Sequence, residues 1–283
     1  MQSLLDILQK TTAFFQQKGV PQARLDAELI LAHALGCRRL DLYLQFERLL
    51  SDDELAAMRP MVARRGKREP LQYILGEAHF HGLVLRADPR ALIPRPETEE
   101  LIELLASRFA AVPPVSICDL GTGTGAIALS LATVFPQAQV TAVDASSAAL
   151  ELATENARAA GVAERVRFVE SDWFGALGGE RFSLIVSNPP YLTEQEWEQA
   201  EPEVRDWEPQ SALTAGPDGL DDYRKIIATA PAHLDAGGWL ALETGIAQHA
   251  ALEELARAAG FAEVESLPDL SKRERFFLAR MGC

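Results

Sequence analysis

The stretch VSICDLGTGTG, Val115 to Gly125, decides how this chain is to be read. Val115–Leu120 is a short apolar run, the mark of a buried strand. Glycines follow at alternate positions, Gly121, Gly123 and Gly125, and a helical pattern opens near residue 124. Glycine enters backbone conformations closed to other residues, so the main chain can turn tightly and approach a ligand beside the positive end of a helix. In an open α/β sheet, ligands collect outside the carboxyl ends of the strands. Many nucleotide-binding folds share such a turn, so the other strand ends must discriminate among them.

Outward from this stretch, strand and helix patterns alternate. Strands are expected at 139–144, 165–170, 182–187 and 238–243, with two final runs in FAEVESL and RFFLARM. Helices are expected near 146–160, 222–234 and 249–259. This alternation predicts an α/β fold, a doubly wound and mostly parallel seven-stranded sheet, with the closing hairpin supplying one antiparallel strand. Residues 1–75 instead read as a small helical domain. Pro21 and Gly36 bracket one helix, Ser51 and Glu54 form a capping-box pattern for another, and Pro60 is expected to kink or divide the latter. Residues 76–92 read as a hairpin linker, and Pro96 opens a helix at the head of the third segment, 93–283.

The 283 residues carry 27 Lys and Arg against 41 Asp and Glu, a net charge of −14. The imbalance lies in residues 87–283, with 15 basic and 31 acidic side chains, whereas residues 1–86 hold 12 and 10. So acidic a body is a poor binder of phosphate backbones. Arg64, Arg65, Lys67 and Arg68 form the one dense basic cluster, read as a solvated helix end or as a docking patch for an acidic partner. Cys37, Cys118 and Cys283 lack metal spacing and no metal site is expected. With no apolar run of membrane length and no signal-peptide pattern, the reading is a cytoplasmic protein.

The strand ends narrow the chemistry. Asp144 stands 19 residues beyond Gly125, where an acid is the usual partner of ribose hydroxyls. Ser171-Asp172-Trp173 offers a carboxylate for an exocyclic amine beside a flat apolar ring. Together these describe an adenosine pocket. Asn188-Pro189-Pro190-Tyr191 then follows the fourth strand. Tandem prolines stiffen the bend and remove two donors. The Asn188 amide oxygen and the Pro189 carbonyl can each accept one N–H of a planar –NH₂ group, with Tyr191 against its face. Two acceptors on one nitrogen stabilise the positive charge that grows as it attacks an electrophile. Beside adenosine, that electrophile is the sulfonium methyl of S-adenosylmethionine, with S-adenosylhomocysteine as product.

DLGTGTG followed by SNPPY resembles the class I S-adenosylmethionine-dependent methyltransferases that modify planar amino groups. REPLQYILGEAHFHG, ALIPRPETEEL, GPDGLDDYRKI and DLSKRERFFLAR extend the likeness over nearly the whole chain to the release-factor glutamine methyltransferases, the HemK/PrmC family. The resemblance implies methyl transfer to the glutamine nitrogen of a Gly-Gly-Gln loop in a peptide chain release factor; separately, no nucleic acid or membrane partner is expected, and the chain is expected to be a monomer. It implies that residues 1–75 recognise the substrate and that 93–283 bind the cofactor. Asp119, Gly121, Thr122, Gly123, Thr124, Gly125, Asp144, Asp172, Trp173 and Asn188 are then expected at the cofactor. Asn188, Pro189, Pro190 and Tyr191 are expected to be catalytic, and together with Arg95 and Glu97 to hold the substrate. The chain departs from the family pattern at His81 and at Ala215-Gly216-Pro217, outside the core motifs.

Three other readings stay open at this point. A glutamine methyltransferase acting on a ribosomal protein has identical chemistry. A DNA amino-methyltransferase is opposed by the acidic stretch TEQEWEQAEPEVRDWEPQ after the bend. A non-catalytic cofactor-binding protein has no need of the Asn188 bend. His79 and His81 read as hairpin residues, Arg95 and Glu97 equally as a helix start, and Glu243 as a sheet-edge carboxylate.

Overall fold

The computed structural model describes residues 2–283. Five helices come first: α1 (Leu4–Gln17), α2 (Ala23–Leu35), α3 (Arg39–Tyr43), α4 (Asp52–Arg65) and α5 (Leu71–Leu75). A hairpin of β1 (Glu77–Phe80) and β2 (Leu83–Arg86) follows, and then α6 (Pro96–Arg108). The alternating part runs β3 (Ser116–Leu120), α7 (Ala126–Val134), β4 (Gln139–Asp144), α8 (Ser147–Ala159), β5 (Val166–Glu170) and β6 (Phe182–Ser187). Two short helices, α9 (Glu194–Glu198) and α10 (Pro202–Arg205), precede α11 (Asp221–His233), β7 (Leu234–Glu243) and α12 (His249–Ala258). The chain closes on β8 (Glu263–Pro268) and β9 (Glu274–Arg280). No helix among the described residues is long and apolar enough to cross a membrane.

Residues through Gly76 form one compact unit together with Glu201–Trp207. Its core is built from Leu4, Leu8, Phe15, Ile30, Leu31 and Leu42. The Ser51 hydroxyl accepts the Glu54 N–H, and the Glu54 carboxylate accepts the Ser51 N–H, which caps α4 as its sequence predicts. Of the two outcomes expected at Pro60, division does not occur: α4 runs unbroken from Asp52 to Arg65. A proline removes one backbone bond, and the cap and the burial of Met58 carry the helix past it.

The basic cluster is also not what its composition suggests. Arg65 is buried; its Nε donates to Asp26 at 2.7 Å and its Nη1 to Glu203 at 2.8 Å. Arg68 Nε donates to Glu203 at 2.6 Å, and Arg64 Nε to Glu69 at 2.8 Å. Three of the four cations are thus committed to carboxylates within the unit. The cluster is therefore not a free basic patch: Arg65 and Arg68 are held by carboxylates up to 138 residues away in sequence, while Arg64 and Lys67 stay exposed.

Glu77–Ala200 and Glu208–Cys283 form the second unit. Its seven strands lie in the order β5-β4-β3-β6-β7-β9-β8, parallel except for β9. Side chains alternate between the two faces, so both must be covered. Ile117, Val186, Ala241 and Leu278 face the core of α6 and α7, while Cys118, Ile185, Leu242 and Phe277 face that of α11 and α12. The chain runs β3, β4, β5 to one edge and resumes at β6 on the other side of β3. The turns after β3 and β6 therefore diverge, opening a crevice where the strand order reverses.

His81 and Gly82 are the two hairpin residues between β1 and β2, both with positive φ (46° and 78°), as a tight primed turn requires. The exposed His79 lies on β1, and the His81 ring meets Glu103 at 3.0 Å.

Candidate active site

The glycine turn is shaped from beneath by Asp119. This carboxyl is fully buried at the end of β3, where one oxygen accepts the Thr122 hydroxyl at 2.6 Å and the Ala128 N–H at 3.1 Å. Burial pushes its pKa up to about 7. Thr122 donates its N–H to Val143 on β4, and the Thr124 carbonyl accepts from Asn156 at 2.9 Å. Gly125 begins α7 at φ 85°, where a β-carbon would press on Leu129 and Ala153 at 3.2–3.3 Å.

Above this turn lies a cavity of about 420 Å³, within the usual range for a small-molecule site. Gly121, Gly123, Asp144, Asp172, Trp173 and Asn188 meet around it. The other cofactor candidates, Asp119, Thr122, Thr124 and Gly125, do not line it; they hold the turn that does.

Asp144 ends β4 with both oxygens occupied, by the Gly123 N–H and the Ser146 N–H at 2.9 Å each. Burial raises its pKa against those bonds. Asp172 is exposed at the cavity edge. Trp173 takes a positive φ of 50°, rare for a bulky residue, which swings its ring over Gly121. Its indole N–H points to Asp222 at 3.3 Å.

At the end of β6, the Ser187 hydroxyl donates to the Leu120 carbonyl at 2.6 Å, tying the two strand ends together. Asn188 and Pro190 line the cavity, whereas Pro189 is buried. Tyr191 packs onto the α11–α12 core, and burial, with the Glu243 carboxyl nearby, raises its phenol pKa. Its N–H and that of Leu192 both donate to Leu213, and its carbonyl accepts from Gln248 at 3.0 Å. The bend is therefore braced from two loops.

Asn188 Nδ2 donates to the Thr98 hydroxyl at 3.2 Å, and Thr98 donates to Glu243 at 2.6 Å. Among the described residues, the Asn188 Oδ1 has no partner and is free to accept. Thr98 was missed in the sequence although it sits in IPRPETE between the singled-out Glu97 and the helix body. Glu243 reads in the sequence as a sheet-edge carboxylate, yet its carboxyl is 1% exposed, and burial raises its pKa to about 7. Neither Arg95 nor Glu97 lines the cavity. Arg95 is ion-paired to the buried Glu208, and Glu97 lies 3.7 Å from Arg273. Pro209, Ser211 and Ala212, just after Glu208, form a cavity wall that no sequence pattern announced.

A seven-stranded sheet with one antiparallel strand, carrying a glycine turn after its first strand and an Asn-Pro-Pro-Tyr bend after its fourth, is the architecture of a class I methyltransferase. The hMettl16 catalytic domain shares the fold at TM-score 0.57 and 17% identity, over 78% of this chain and 81% of that one. Residues 6–76 match the model of the PrmC N-terminal domain, and residues 98–202 that of the methyltransferase small domain. The release factor glutamine methyltransferase of Geobacter sulfurreducens is 44% identical over 98% of this chain and 96% of its own length. That of Pseudomonas aeruginosa is 47% identical over 93% of this chain and 94% of its own length. The chain belongs to the release factor glutamine methyltransferase family.

Proposed function

We propose that the protein transfers a methyl group from S-adenosylmethionine to the side-chain amide nitrogen of the glutamine in a release factor's Gly-Gly-Gln loop. The observation that carries this reading is the unpartnered Asn188 Oδ1 at the edge of the cavity, in a chain 44–47% identical to release factor glutamine methyltransferases.

The residues present suit the cofactor. Gly121 turns the chain at φ 71°, and a β-carbon there would lie against the Trp173 ring at 3.4 Å, so the turn and the ring form one wall of the cavity. Gly121, Gly123, Asp144, Asp172 and Trp173 would hold the adenosine part. When bound, S-adenosylmethionine supplies an electrophilic methyl group on a sulfonium. Asn188 Oδ1 and the Pro189 carbonyl accept the two N–H bonds of the substrate amide and orient its nitrogen toward the cavity. As that nitrogen gains a fourth bond, both acceptors stabilise its positive charge. The new N–CH₃ bond would form as the S–CH₃ bond breaks, leaving S-adenosylhomocysteine, and the nitrogen, made acidic, would release one proton to solvent, so no strong base is needed beforehand.

The test offers methyl-labelled S-adenosylmethionine with three acceptors: a release factor, the same factor with its loop glutamine changed to alanine, and duplex DNA. Label on the intact factor alone is expected. Label on the altered factor or on DNA, or on none of the three, overturns the reading.

A further inference from the structure

Asn188 can present either end of its amide to a substrate, and only one end serves. Oδ1 toward the substrate accepts its N–H; Nδ2 in that place sets donor against donor. The choice is made on the far side of the side chain, at Thr98. A hydroxyl has one proton to give, and whichever neighbour receives it fixes what the other neighbour must do. Thr98 gives its proton to Glu243 at 2.6 Å, so its lone pairs face Asn188 and accept Nδ2 at 3.2 Å.

We propose that Glu243 and Thr98 are positioning residues that set the sense of the Asn188 amide, a relay resting on the methyl-transfer reading above. Once ionised, above about pH 7, the Glu243 carboxylate only accepts, and it then compels the Thr98 hydroxyl toward itself. That leaves Asn188 Nδ2 the sole donor at its own junction and turns Oδ1 to the cavity. The three residues come from three separate elements: Thr98 from the first turn of α6, Glu243 from the end of β7, and Asn188 from the bend after β6. The frame around them is pinned. The Tyr223 hydroxyl donates to the Glu243 backbone carbonyl at 2.8 Å, and the Thr98 N–H to the Arg95 carbonyl at 3.0 Å. Thr98 and Glu243 are 3% and 1% exposed, which keeps water from substituting for either contact.

The chain contains two asparagines, Asn156 and Asn188, so side-chain ¹⁵N-asparagine labelling gives two amide pairs, one of them an internal reference. Asn156 Nδ2 donates to Arg86 and Thr124, remote from the relay. Thr98→Val removes the hydroxyl, and Thr98→Ser retains it. In Thr98→Val, Asn188 amide exchange with water is expected to speed up about tenfold or more while the Asn156 pair stays put. On the release factor, kcat should fall roughly 10- to 100-fold with little change in cofactor Kd, because orientation rather than binding is lost. Thr98→Ser should restore both readouts. Glu243→Gln, which can accept from or donate to Thr98, should split or broaden the Asn188 pair, a check that survives any misfolding of Thr98→Val. An unmoved Asn188 pair in folded Thr98→Val and Glu243→Gln overturns the relay. A wild-type protein that labels no release factor overturns the methyl-transfer reading instead, and the spectra still decide the relay.

Discussion

Gln248 Nε2 stands 3.0 Å from the carbonyl oxygen of Tyr191, so a residue next to α12 holds the exit of the Asn188 bend. The same nitrogen donates to Gly219 at 3.1 Å, and Oε1 accepts the Gly245 N–H at 2.9 Å. One carboxamide thus joins three loops. Gln248→Ala should destabilise the fold by about 1–3 kcal/mol, the usual cost of leaving buried polar groups unpaired. It should also lower kcat while cofactor affinity holds. Denaturant unfolding and a kcat measurement check both, and an unchanged kcat would show that proline stiffness alone holds the bend.

On the proposed reading, Asn188→Ala should abolish turnover with at most a modest loss of S-adenosylmethionine affinity, since the side chain borders the cavity and is assigned to the acceptor amide. Calorimetric titration with a single-turnover assay separates the two effects. Residual turnover near wild type would place catalysis elsewhere.

Gly121→Ala tests the floor of the cavity. Its φ of 71° is left-handed, costing an alanine roughly 1–2 kcal/mol. The added methyl would also meet the Trp173 ring at 3.4 Å. Weaker cofactor binding, read by titration, is expected at an otherwise folded protein. Undiminished affinity would mean that the ligand sits away from this turn.

Buried acids give a pH signature. The pKa of Glu243 rises from 4.5 to about 7, chiefly through burial, with Thr98 and Arg275 opposing. Glu97 and Arg95 act on it from the start of α6, and the phenols of Tyr191 and Tyr223 lie nearby. Between these values the native protein holds a proton that the unfolded chain has released, so stability falls as pH rises. Relative to Glu243→Gln, the wild type should lose on the order of 3 kcal/mol between about pH 4.5 and 7. Over the same range its kcat should rise through pH 7 as the carboxylate forms, and the variant's rise should be weaker. Asp119, also shifted to about 7, contributes equally to both proteins and cancels in the comparison. Parallel stability curves would mean that Glu243 ionises alike in both states.

Arg65→Met leaves the buried Asp26 without its cation, while Glu203 keeps only Arg68. Breaking such a pair typically costs about 3–5 kcal/mol, and the loss should appear in unfolding of the helical unit. A cost under about 1 kcal/mol would show that the site is wetter than its burial implies.

The sheet was readable because strand ends, glycines and helix caps are local: VSICDL, QVTAVD and FSLIVS each declare themselves within six residues. The Asn188-Pro189-Pro190-Tyr191 bend at the end of β6 was readable for the same reason. Thr98, Glu243 and Glu208 were not, because their meaning lies in contacts across the fold. A threonine in a helix's first turn and a glutamate at a strand end look ordinary until 145 residues of chain bring them to 2.6 Å. The Arg64–Arg68 cluster misled for the converse reason: local composition shows the cations and hides distant Asp26 and Glu203.

Glu203 belongs to the helical unit although the chain on either side of Glu201–Trp207 belongs to the other. The protein is therefore not two modules in series. Cutting at residue 76 would strip the first of Glu203, the acid that Arg65 and Arg68 share, and leave buried Arg65 with Asp26 as its one carboxylate. Grafting that unit onto another family member would have to carry the 201–207 segment along.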